Sequence, residues 1–193
     1  MTGTTKERIL EAAEGIMLQK SFHSVGLTEI LTSVKVPKGS FYHYFSSKEQ
    51  FGVELISHYV GAHTERLEKF FTASETTALQ KFVDFWGYQI GCATDEKCRQ
   101  GCLVGKLGME VAGFSEPMRD VLANGLKAWR QIFERVIREG QADRSIQKDL
   151  DAAEAAAALQ DTWQGAMQRM QVERNVAPLR SAANFLRAWL ARS

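Results

Sequence analysis

The chain has 193 residues, 24 Lys and Arg against 23 Asp and Glu, a formal net charge of +1 and 45% hydrophobic side chains. That is enough apolar material for one large packed domain or a small domain joined to a larger one, and with a total charge near zero any affinity for nucleic acid must come from where cations sit. The apolar runs break well short of the ~20 residues a membrane span needs, and no charged-then-apolar leader opens the chain, so a soluble, cytoplasmic protein without a membrane partner is expected.

Strand patterns are sparse and apolar residues return at helical spacing, which predicts an all-α fold of about nine helices. The first helix runs from about Thr5 to Lys20 with Ile9, Leu10, Ala13, Ile16 and Met17 on one face. A short second helix starts near Thr28, a candidate N-cap, and stops before Pro37, because the residue preceding a proline is pushed out of the α region. A third, of barely two turns, covers Lys38 to Tyr44. Ser46 and Glu49 then fit a capping box that opens a long helix to about Phe71. Further helices are expected near Thr77 to Ala93, Leu103 to Val111, Glu116 to Glu139, Asp151 to Glu173 and Ala177 to Ala191, with loops at 94–101 and 140–150. The small side chains of "AAEAAAAL", 152–159, would permit close helix packing or simply form a good helix.

Between Glu29 and Glu49 the only charged side chains are Lys35, Lys38 and Lys48, with His43 able to add a fourth. Two short helices across a three-residue break, the second basic and rich in hydrogen-bonding groups, have the spacing of a helix-turn-helix. A recognition helix of this kind puts its N-terminal residues at base edges while flanking amides, hydroxyls and lysines hold phosphates. Lys38, Ser40, Tyr42 and His43 are therefore assigned to the groove, with Gly39 letting the backbone approach, and Thr28, Tyr44 and Lys48 to phosphate. Phe41 and Phe45, at i and i+4, are read as the core-facing side of the same helix.

Residues 5–55 resemble the N-terminal domain of the TetR family of bacterial transcription regulators, on the matching residues 9–51, "ILEAAEGIMLQKSFHSVGLTEILTSVKVPKGSFYHYFSSKEQF". Leu31 and Pro37 depart from the family's usual residues without removing a group needed for DNA contact. The resemblance implies a helix-turn-helix DNA-binding domain at 1–50 and an effector-binding and dimerisation domain at 51–193. It further implies a homodimer on a palindromic double-stranded operator, acting as a repressor released by a small-molecule effector. The last two helices, with Leu159, Trp163, Met167, Leu179, Ala182, Leu186, Trp189 and Leu190, would form the dimer interface.

In the C-terminal part Phe82, Phe85, Trp86, Tyr88, Trp129, Phe133, Trp163, Met109, Met118, Met167 and Met170 make an aromatic and methionine-rich set. They are readable as core or as the lining of an apolar effector pocket; Phe85, Trp86, Trp129, Phe133, Trp163 and Met167 are the pocket candidates. Cys92, Cys98 and Cys102 fall within eleven residues, an odd number that fits free thiols in a reducing compartment. "KCRQGCLVGKLGMEVAGFSEPMRD", 97–120, resembles an electrophile-sensing branch of the TetR family and aligns Cys102 with its sensor. A helix N-terminus and the nearby Lys97, Arg99 and Lys106 favour the reactive thiolate, although a small buried residue is the alternative; Cys98 is a second candidate. The C-x5-C-x3-C spacing matches no standard zinc pattern and lacks an obvious fourth ligand, so neither metal nor cofactor is expected. A thiol enzyme is the rival class, disfavoured because no activating His or carboxylate is recognisable; an activator or architectural DNA binder is the other.

Overall fold

The computed structural model describes residues 4–73, 75–94 and 101–191, and among these nine α-helices and one 3-10 turn carry the fold. They pack as two compact units, Met1–His63 with Cys102–Gly125, and Thr64–Gly101 with Leu126–Ser193.

In the first unit α1, Thr5–Gln19, opens on a capping box in which Thr4 and Glu7 exchange backbone and side-chain hydrogen bonds, and it buries Ile9, Leu10, Ala13 and Met17. Ile16, expected on that face, is only half-buried. Helix α2, Leu27–Ser33, is capped by Gly26 without a side-chain bond, so Thr28 lies inside the first turn instead of capping it. Its end is a Schellman motif: the Val36 N–H reaches Leu31 O at 2.9 Å and the Lys35 N–H reaches Thr32 O at 3.1 Å, with Lys35 left-handed at φ 56°. A residue with a Cβ is strained there. Lys35→Gly is accordingly expected to raise stability by ~0.5–1 kcal/mol, read as a higher urea midpoint at constant m-value; an unchanged or lower midpoint would contradict it.

After Pro37 the chain forms the 3-10 turn Lys38–Ser40 and continues as α3, Phe41–Tyr44. Helix α4, Lys48–Thr72, follows. Its start is set one residue later than the spacing suggested: the Gln50 N–H bonds Ser47 Oγ at 3.0 Å, and Gln50 Oε1 receives the Ser46 N–H at 2.8 Å. Glu49, freed from that role, accepts from the buried Ser115 hydroxyl at 2.7 Å. Helix α6, Leu103–Val111, and the first turns of α7, Glu116–Asp143, complete the unit.

The second unit contains α5, Ala78–Thr94, the rest of α7, α8, Ala152–Glu173, and α9, Ala177–Leu190. Asp151 caps α8 by accepting the Ala153 and Glu154 amides at 2.9 Å each. Ala152, Ala155, Ala156 and Leu159 are buried in α8, which packs on α9. Helix α7 runs four residues past the expected Glu139 because Gly140 is a packing glycine and not a stop. A Cβ there would lie 2.5 Å from Ile146 Cδ1, and Gly140 O accepts the Ile146 N–H at 3.0 Å. No helix among the described residues is long and apolar enough to cross a membrane.

Candidate nucleic-acid interface

The recognition segment has little backbone to hold it, being one 3-10 turn and four α-helical residues, and isolated pieces of that length are unstable. Three rings fix it instead. Phe41, Phe45 and Phe51 are each at most 1% exposed, with centroids 5.0 Å apart for Phe41–Phe45, 5.5 Å for Phe41–Phe51 and 5.1 Å for Phe45–Phe51. Lys6 caps the cluster from α1, 5.4 Å from the Phe45 centroid. Arg8 Nη2, also on α1, donates to Val34 O at 2.9 Å and ties down the end of α2.

With that face committed, the other side of the segment is exposed. Lys38, Gly39, Tyr42 and His43 lie open, Tyr42 at 65% exposure, and Ser40 and Tyr44 are half-buried. Nothing stands within 4 Å of where a Gly39 Cβ would be, leaving room for an approaching backbone or phosphate. Tyr42 meets Phe41 edge-on at 5.4 Å and His43 meets Tyr44 at 5.1 Å, so the exposed rings are braced without being covered. Thr28 is exposed in the first turn of α2. Lys48 is half-buried, and its ammonium donates to His23 O at 3.3 Å and Val25 O at 3.1 Å while lying 5.2 Å from the Phe22 centroid. An ammonium has three protons, and one remains for a phosphate.

Cys102 is the N-cap of α6 and half-buried. The Tyr59 hydroxyl, on α4, points to Sγ at 3.9 Å and accepts the Leu103 N–H at 3.4 Å. Tyr59 carries no sequence signal; only the pairing of α4 with α6 brings it there. Lys106, expected beside the thiol, donates instead to Leu18 O at 2.9 Å. Gly101, at φ 79°, supplies the left-handed residue just before the cap. Cys92 is a half-buried free thiol; Cys98, Lys97 and Arg99 lie outside the described residues.

In the second unit the aromatic candidates do converge. Phe82 stacks on Trp86 at 5.6 Å, Trp86 on Trp163 at 6.4 Å, and Phe133 closes on Phe85 at 6.3 Å. All five are buried, whereas Met167 is half-buried and Tyr88 is 61% exposed. Trp129 is buried, with its Nε1 donating to Thr64 Oγ1 at 2.9 Å. The indole N–H groups of Trp86 and Trp163 and the carbonyl oxygen of Gln160 are buried with no hydrogen-bond partner among the described residues. Met109 and Met118 belong to the first unit and are not part of this cluster.

A short helix braced on one side by aromatic rings and presenting Lys, Tyr and His on the other, within a three-helix helix-turn-helix, defines a DNA-binding regulator. Residues 9–55 match the family model for bacterial regulatory proteins of the tetR family, and residues 76–186 match the tetracyclin repressor-like C-terminal domain. The chain belongs to the TetR family of transcription regulators. It is 30% identical over 178 residues to the HTH-type transcriptional repressor NemR of Escherichia coli, covering 92% of this chain and 89% of that one. It is 33% identical to the transcriptional regulator AcuR of Cereibacter sphaeroides, covering 91% and 80%. The crystal structure of reduced E. coli NemR superposes with a TM-score of 0.89 at 29% identity over 97% of this chain and 98% of that one. These relatives are named as transcription regulators, not as enzymes.

Proposed function

We propose that this protein is a homodimeric repressor that binds a palindromic DNA operator and leaves it when its C-terminal part meets a small molecule or when Cys102 is modified. The observation that carries the reading is the division of the 38–45 segment by face. Phe41 and Phe45 hold it with Phe51, and Lys38, Ser40, Tyr42 and His43 are left to read the major groove, with Gly39 at the point of close approach. Thr28, Tyr44 and Lys48 serve phosphates. Residues 1–50 read DNA and 51–193 respond and dimerise, in the cytoplasm, where the operator is found.

Two features support the response. In the ring cluster that joins Phe85, Trp86, Phe133 and Trp163 through Phe82, the two indole N–H groups are buried without partners among the described residues, and each such group costs about 1–3 kcal/mol. A small effector that opens this cluster and accepts from the indoles relieves that cost; Trp129 and Met167 are the remaining candidate lining residues. Cys102, beside the Tyr59 hydroxyl at the start of α6, suits an electrophile sensor, with Cys98 as a second thiol, and the related NemR was solved in a reduced form. With N-ethylmaleimide the thiolate adds across the C=C bond and the resulting carbanion takes a proton from water, so no oxidant is needed.

Selection of bound DNA from a random pool, repeated after N-ethylmaleimide treatment, tests the whole reading. An inverted repeat that is lost on alkylation is expected, and Cys102→Ser should keep the operator bound. No enriched sequence would end the DNA-binding assignment; release of Cys102→Ser by the reagent would end the sensor assignment.

A further inference from the structure

The turn between α1 and α2, residues 20–26, has few hydrogen bonds of its own. The Ser24 and Val25 amides both fold back on Ser21 O, at 3.1 Å each. Within the turn the His23 N–H also reaches Ser21 Oγ at 3.2 Å and the Ser24 hydroxyl donates to Ser21 O at 3.0 Å, and one edge of α6 holds it from outside. Lys106 and Glu110 stand one turn apart on α6, at i and i+4, and so share a face. Lys106 Nζ donates to Leu18 O at 2.9 Å, at the C-terminal end of α1, where carbonyls lack helical partners and the helix dipole favours a cation. The Glu110 carboxylate accepts the Ser21 hydroxyl and, at 3.2 Å, the His23 N–H. Each charge thus meets the backbone polarity that suits it.

Phe114, three residues past α6, lies against the His23 ring with centroids 4.3 Å apart. From the other side Lys48, the first residue of α4, donates to His23 O and Val25 O. His23 therefore has its N–H shared between Ser21 Oγ and the Glu110 carboxylate of α6, and its C=O held by α4. Burial pushes the Glu110 carboxyl upward, but the Ser21 hydroxyl, the Phe22 and His23 amides and the charge of His23 outweigh it and hold it below the usual carboxylate range. The grip is made by the ionised form.

We propose that the Lys106–Glu110 edge of α6 is the coupling contact that sets the position of the α1–α2 turn, and through it the operator-competent pose of α2 and the recognition helix, with Glu110 as the positioning residue. The geometry favours transmission. From Cys102 to Glu110 is a single rigid helix of ~12 Å, so a displacement at the cysteine end reaches the carboxylate. Phe22 and Val25, at 3% and 1% exposure, anchor the turn in the core, and Val25 stands two residues before α2, so a shift of the turn is passed to α2 through a short buried link. The inference rests on the reading that the Cys102 end of α6 senses the effector, and the experiment separates the two.

The test uses full-length protein, the operator selected by the wild type, and N-ethylmaleimide as probe, with affinities by fluorescence anisotropy. Glu110→Gln keeps the shape and removes the charge. It should lower operator affinity by on the order of 5- to 100-fold, toward the level of alkylated wild type, and alkylation should weaken it no further. Ser21→Ala should weaken binding less and be non-additive with Glu110→Gln, a result that an unrelated loss of structure would not produce. Amide exchange at residues 22–25 should speed up in Glu110→Gln and in alkylated wild type alike. Wild-type affinity with a wild-type response to the reagent in Glu110→Gln would overturn the proposal. If alkylation leaves the wild type on its operator, the cysteine reading falls by itself. The grip is then decided by whether Glu110→Gln weakens operator binding non-additively with Ser21→Ala or leaves it unchanged.

Discussion

Tyr42→Ala is expected to lower operator affinity by roughly 5- to 150-fold while leaving thermal unfolding unchanged, because a base-edge contact is worth about 1–3 kcal/mol. The side chain is 65% exposed and touches its own chain chiefly through the edge of Phe41, so removing it leaves no cavity. Lys38→Ala, at the same groove-reading face, should behave in the same way. The neighbouring Phe41→Ala makes the contrast. That ring is 1% exposed and packs on Phe45 and Phe51, so truncation costs about 3–5 kcal/mol, a large share of the 5–15 kcal/mol typical of a domain. Binding and cooperative melting should then fail together. Anisotropy against circular dichroism separates the two classes, and a Tyr42→Ala protein that binds like wild type would remove the groove assignment.

That contrast was readable from spacing alone, because i and i+4 rings beside a cationic face can be sorted with no knowledge of the partner helices. The helices themselves were legible for a similar reason: periodicity and breakers are local, and α6 begins and ends where the pattern does. Glycines were less transparent. Gly140 carries the same letter as a helix stop, and only the approach of Ile146 explains why the helix passes through it. Caps slipped by a residue where two serines and two acceptors compete, as at Ser46 and Ser47. What one chain read linearly does not reveal is who meets whom across distant segments. Tyr59 beside Cys102, Glu49 under Ser115 and Glu110 on the α1–α2 turn join residues 43 to 89 positions apart, and a lone Tyr or Glu on a helix gives no sign of such a role. The packing units place Cys102–Gly125, and with it α6, beside Met1–His63, so they do not coincide with a break at residue 50.

The same limit applies to α9 and gives the other large expected effect. Of the residues read as a surface for a second subunit Met167 and Trp189 are half-buried, but Leu179, Ala182, Leu186 and Leu190 are 2%, 7%, 0% and 0% exposed within one chain, and Leu159 and Trp163 1% and 7%. Those residues already have their partners. What α9 leaves outside is Phe185, 60% exposed, stacked on Trp189 at 6.5 Å and 7° between planes. A stacked aromatic pair on an exposed helix face is the kind of anchor that dimer interfaces bury. In the proposed homodimer, Phe185→Glu should therefore give a folded monomer by analytical ultracentrifugation, because a carboxylate at the centre of a symmetric contact is buried twice without a counter-ion. With two half-sites no longer held by one particle, operator affinity should drop by on the order of 100-fold or more, although nothing at the recognition helix has changed. Leu186→Ala, one residue away, should instead cost about 2–5 kcal/mol of chain stability. A Phe185→Glu protein that stays dimeric and keeps its operator would place the interface on another face.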